Sequence, residues 1–192
     1  HLGLRPTSGA LSGGADSPSL RLSLQLEGRE EQGGVAVPAL SPTAPRPTEF
    51  LFKDVVFTVA GEPVELRSFE VRVNNRLEVA HNNSYWPSLI TAGVREVEFQ
   101  FAVYKTSDLF DLMRRTPPDD LSAQLTFKGA HDGTGPAGTN YTVATLQFDR
   151  LGFQDADETG SLDELVGQSV EMIVLKPSTA ADEIQATFTA VA

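Results

Sequence analysis

The most suggestive chemistry in this chain is a run of acidic side chains at short, regular intervals. In DADETGSLDELV, residues 155 to 166, Asp155, Asp157 and Thr159 fall at positions 1, 3 and 5 of a calcium loop, with Gly160 at the sixth-position bend and Asp163 at position 9. Position 12 calls for a bidentate Glu and holds Val166, and the flanking segments alternate as strands rather than helices. The stretch therefore reads as an acidic, solvated hairpin tip ahead of an ion site. A nucleophile needs a positioned base, most often His. The three histidines, His1, His81 and His131, lie near a terminus or in expected loops, form no HxH or HExxH pair, and accompany no GxSxG elbow. The chain has no cysteine, which removes disulfides, thiolate zinc sites and thiol nucleophiles.

Two other stretches invite a functional reading. GAHDGTGPAGTN has glycines enough for a phosphate loop, but GxxxxGK[ST] is absent and no helix pattern follows to supply amide donors. It reads as a hairpin connection. SYWPS carries the single tryptophan, Trp86, beside Tyr85, and would serve equally as a ligand platform or as a cap on an apolar core. Paired carboxylates for glycoside hydrolysis are not distinguished by spacing alone. No residue is assigned a catalytic role, and no cofactor is implied.

Composition narrows the field. The chain has 192 residues, 40% of them hydrophobic, enough for one substantial core. Its net charge of -11 opposes a general grip on nucleic acid or an anionic bilayer. No stretch approaches the roughly 18 consecutive apolar residues of a membrane helix, so the sequence reads as a soluble, unexported protein with no membrane partner. It begins at His1 rather than Met, as a processed or truncated chain would.

The positioning elements are mostly strands. Residues 1 to 18 are rich in Gly, Ser and Pro and read as an arm or linker, ahead of a single domain over 19 to 192. In LRLSLQLE the leucines at 20, 22, 24 and 26 alternate with polar residues, the pattern of a half-buried strand. Residues 28 to 48, with four prolines, form a long exposed loop whose VAVPAL run suits an intersubunit contact. Two strands meet at Ala60-Gly61-Glu62-Pro63, each with one slip of alternating phase, which predicts bulges or a sheet corner. Val97, Phe99, Phe101 and Val103 mark another strand. Ser107 caps a short helix over about 107 to 116, ended by Pro117. LSAQLTFK, YTVATLQFDRLGF, SVEMIVLK and IQATFTA complete about eight strands, in a mainly β fold: a β-sandwich or barrel with one short α-helix.

Within SFEVRVNNRLEVAHNN, residues 68 to 83, Asn75 occupies the apolar phase, so its amide must find hydrogen bonds where the strand bends or ends. A strand of the type FxVxxNNxLE, matched by Phe69, Val71, Asn74, Asn75, Leu77 and Glu78, precedes Gly93 and the alternating strand to Phe101, and then a short helix in Leu109 to Met113. This succession resembles the major tail tube proteins of long, non-contractile-tailed bacteriophages, over roughly residues 20 to 176. The resemblance implies a virion structural protein without a catalytic site. Its subunits would assemble into hexameric rings, or trimeric ones where a subunit carries two domains. The rings would stack into a tube that conducts the genome out of the capsid. It implies tape-measure and tail-tip or terminator proteins as partners, DNA passing without specific binding, and assembly in the host cytoplasm. Asn74, Asn75 and Gly93 are then structural. The competing reading is a β-sandwich module binding glycan or another surface through SYWPS.

Overall fold

The computed structural model describes residues 5–28, 50–81, 83, 88–91, 93–104, 116–117, 121–131, 141–159, 167–176 and 184–189. These residues form thirteen strands. The chain opens with β1 (Arg5–Gly14) and β2 (Ser17–Glu27), and a 3₁₀ turn at Phe52–Asp54 leads into β3 (Val55–Val59), β4 (Glu62–Val64) and β5 (Leu66–Asn74). Next come β6 (Glu78–Ala80), β7 (Leu89–Thr91), β8 (Glu96–Tyr104) and β9 (Ala123–His131). The remaining strands are β10 (Tyr141–Phe148), β11 (Leu151–Thr159), β12 (Gly167–Val174) and β13 (Gln185–Thr189).

A six-stranded sheet runs in the order β11-β12-β8-β5-β1-β2 and a five-stranded sheet in the order β13-β10-β9-β3-β4, with β6 and β7 apart as a small ribbon. Both large sheets are open, so the mainly β expectation resolves to a sandwich rather than a closed barrel. The strand at 96–104 puts Val97, Phe99, Phe101 and Val103 inside, where they meet Phe69 and Val71 of β5, Val170 and Met172 of β12, and Phe57, Val59, Leu125 and Phe127 of the opposing sheet. Phe99 stacks on Phe148 with ring centroids 4.9 Å apart, and Phe57 meets Phe101 edge-on at 4.9 Å. Each large side chain buried this way contributes about 1.5–3 kcal/mol, so this cluster dominates the stability of the fold.

The phase slips have two physical forms. The first is the 3₁₀ turn, which re-aims the chain between Phe52 and Val55. The second is a register shift between Leu66 and Ser68 where β5 pairs with β8. The turn before β4 is tighter than the sequence suggests: Ala60 and Gly61 take φ of 49° and 84°, the left-handed pair that joins a close hairpin, while Glu62 and Pro63 already belong to β4.

Four expectations are corrected. Residues 5–14 are not a linker but a strand, paired on one side with β2 and on the other with β5. Their glycines hid this, for a mechanical reason. A Cβ at Gly13 would stand 2.6 Å from Leu20 Cδ2 and 3.0 Å from Phe69 Cε1, so β1 lies too close beneath its neighbours to carry a side chain there. YTVATLQFDRLGF is not one strand: the chain crosses between sheets at Asp149-Arg150, giving β10 and β11. The strand count of about eight therefore rises, with the three-residue strands β4, β6 and β7 too short to show periodicity. Finally, β2 is not half buried along its length. Leu20 packs against the core, but Leu22, Leu24 and Leu26 are 66%, 60% and 55% exposed. The opposing sheet does not reach that end of the hairpin. The helix expected over 107–116 falls almost wholly outside the described residues, as does the loop expected over 28–48.

Candidate functional site

The Asn pair sits where β5 stops. Arg76 adopts a left-handed φ of 40°, which turns the chain out of the strand, and its amide donates to Asn74 Oδ1 at 3.0 Å. Asn75 turns inward and is used at both ends: Nδ2 donates to the Pro6 carbonyl at 2.8 Å, and Oδ1 accepts from Arg95 Nε at 3.1 Å. Its backbone amide donates to the Thr7 carbonyl at 2.9 Å. One residue thereby ties the start of β1 to the entry of β8. Arg76 reaches Glu96 through Nε to Oε2 at 2.9 Å and Nη2 to Oε1 at 2.6 Å. Those side chains are 59% and 36% exposed, so the pair orients more than it stabilises. Gly93 closes the group: a Cβ there would collide with the Arg76 carbonyl oxygen. Gly93, eighteen residues on from Asn75, is thus brought to the same strand end as the Asn pair.

The second feature is the outward face of the six-stranded sheet. Burial of Phe69, Val71, Val97, Phe99, Val170 and Met172 sends their neighbours out, and these are Glu70, Arg72, Glu96, Glu98 and Glu171, joined by Asp155 and Asp157 from β11. Asp155 stands directly opposite Glu171 in the ladder. Like charges placed so are unfavourable. Arg72 donates to Glu70 at 2.7 Å. That hydrogen bond and the Glu70 charge hold its guanidinium above its ordinary pKa, against a smaller opposing effect of burial, while Glu98 and Glu171 add to the rise. A hollow of about 370 Å³ on this face is lined by Ser12, Ser17, Ser19 and Ser169 with Arg21 and Glu70, and no histidine borders it.

The calcium-loop reading loses its geometry. Asp155 and Asp157 lie in β11, paired with β12, rather than in a loop that could wrap an ion. Thr159 ends the same strand, and Asp163 lies outside the described residues. Tyr85 and Trp86 also lie outside them. What the sequence did not reveal was the Asp155–Glu171 opposition, since only the register between β11 and β12 creates it.

A sandwich of two open sheets with one acidic face and a polar clamp at a strand end is the setting for the comparisons with known proteins. No curated protein matches the chain. A family model described as phage tail tube protein matches residues 1–190. The match takes in both sheets and the hairpin at Arg5–Glu27, and by it the chain belongs to the phage tail tube protein family.

Proposed function

We propose that copies of this chain close into rings, six to a ring, and that the rings stack into the tail tube through which the genome leaves the capsid. The observation that carries this reading is the parity of the six-stranded sheet. Every neighbouring pair in it is antiparallel, so its edge strands β2 and β11 run in opposite directions. A neighbour related by rotation about the tube axis then presents its β11 antiparallel to β2, and a ring closes without one irregular junction. Both open edges, a liability in a monomer, are covered in the same step.

In this reading the acidic outward face lines the passage. Phosphate would be repelled at short range, within about 8–10 Å at physiological salt, so DNA slides without specific binding. The described strands and the segment around 28–48 act as one domain, with that segment contacting other subunits. Tape-measure and tail-tip or terminator proteins set the length and ends of the tube, during assembly in the host cytoplasm. Asn74, Asn75 and Gly93 hold the sheet's shape, and no residue catalyses a reaction.

Negative-stain microscopy of the full-length chain tests the proposal. Rings about one subunit thick, or tubes, are expected at high concentration or with the tape-measure and tip proteins added. A chain that remains monomeric under both conditions would refute it.

A further inference from the structure

One row of outward side chains crosses the six-stranded sheet from edge to edge. Arg21 of β2 stands opposite Ser12 of β1, Ser12 opposite Glu70 of β5, Glu70 opposite Gln100 of β8, Gln100 opposite Glu171 of β12, and Glu171 opposite Asp155 of β11. The row begins in a cation and ends in an anion. Five strand spacings of about 4.8 Å lie between them, about 24 Å in all, so the two cannot meet within one chain. Both are exposed, and among the described residues neither has an ion-pair partner. Asp155 faces Glu171 instead.

The two edge strands differ in sign. The charged residues of β11 are Asp155, Asp157 and Glu158, all acidic. Those of β2 are Arg21 and Glu27, and Glu27 already stands opposite Arg5 in the ladder with β1. Ser19 is bridged to Leu51, which leaves the run from Arg21 onward for a further partner. Like edges make poor partners: β11 against a second β11 sets acid against acid, and β2 against a second β2 leaves Asp155 facing Glu171 alone. Pairing β2 with β11 brings Arg21 to the acids. With the row continued in line from one copy to the next, Arg21 falls opposite Asp155. Closing a sheet calls for stagger, and only even steps keep outward side chains outward; two residues toward the end of β11 bring Arg21 to Asp157, on the same side of the sheet.

We infer that Arg21 of one copy docks on the Asp155–Asp157 pair of the next, and that this contact fixes the direction and register in which β2 adds to β11. The inference rests on the ring reading above and adds to it the side chains that tell one edge from the other. A second copy is the partner that the charges fit, because the cation and the acids end one row of one sheet. The same contact places a positive charge beside Asp155 and offsets its opposition to Glu171.

Charge reversal in the full-length chain tests this. Arg21→Glu puts acids at both ends of the row, and the double variant Asp155→Arg, Asp157→Arg puts cations at both ends. Each alone should stay folded by circular dichroism but need about tenfold more protein to form rings, a difference that narrows as salt is added. Mixed in equal amounts, the two should form rings at the wild-type concentration, since an acidic edge then always meets a basic one. Native mass spectrometry should find both variants in equal numbers within each ring. Rings of Arg21→Glu alone at the wild-type concentration, or a mixture that assembles no better than its parts, would overturn the inference and leave the ring proposal standing. So would assembly that Glu27→Arg blocks and the Asp155→Arg, Asp157→Arg variant leaves untouched, the mark of two β2 strands pairing about a two-fold axis. A wild-type chain that forms no rings would remove both proposals together.

Discussion

Replacing Asn75 with Ala removes one amide that serves two distant elements. The Nδ2 bond to the Pro6 carbonyl at 2.8 Å and the Arg95 bond to Oδ1 at 3.1 Å are both lost, while the backbone bond from Asn75 to Thr7 persists. Hydrogen bonds at partly exposed sites contribute about 0.5–1 kcal/mol each, so the loss is about 1–2 kcal/mol. For a chain of this size that lowers the melting temperature by about 2–8 °C. The damage should be local first. Amides of β1 should exchange with solvent about 5- to 30-fold faster, the factor that 1–2 kcal/mol implies, with those of β8 and β12 little changed. Asn75→Asp sharpens the test. It keeps volume and the acceptor for Arg95 but turns a carboxylate oxygen toward the Pro6 carbonyl, so it should cost at least as much as Ala despite its closer shape. Calorimetry and hydrogen exchange read both variants. An Asp variant as stable as wild type, or loosening that begins in β8 rather than β1, would refute the argument that this amide holds the hairpin.

Other substitutions probe other forces. Phe99→Ala, at a fully buried ring between Phe57, Phe101 and Phe148, should lose about 3–5 kcal/mol by urea denaturation, a large fraction of the stability of a typical domain. Gly93→Ala forces a Cβ against the Arg76 carbonyl and should lower stability by about 1–3 kcal/mol in the same assay. Asp155→Asn relieves its opposition to Glu171 and should raise the melting temperature by about 1–3 °C, less at high salt. Arg76→Ala should cost no more than about 1 kcal/mol, with the difference from wild type shrinking as salt is added.

Most of the inner core was legible because its causes are local. Val97, Phe99, Phe101 and Val103 alternate over one uninterrupted strand, and alternation translates directly into a buried face. The break in phase at Asn75 was legible for the same reason. It marked a polar side chain on the inward side, although Pro6 as its partner lies 69 residues away and nothing local names it. The leucines of β2 show where that logic ends. Alternation says which side chains share a face, but whether the face is covered depends on how far the opposing sheet extends. Glycine misled for the opposite reason: at Gly13 it reports crowding, whereas in a linker it reports freedom. The opposition of Asp155 and Glu171 depends on the register of two strands and was beyond any local reading.

The joint between β1 and β5 also fixes an order of events during folding. β1 and β2 are joined by a short turn and pair at close range in sequence, whereas Ser8 meets Asn74 only after the intervening chain has been made. Local hairpins close in about 1–10 μs, while distant pairings must first overcome the entropy of a long loop. The hairpin therefore exists before it has a sheet to join, and the Asn75 clamp forms only when it docks. The exposed leucines of β2 thus join the surface of the sheet only once that distant pairing has formed.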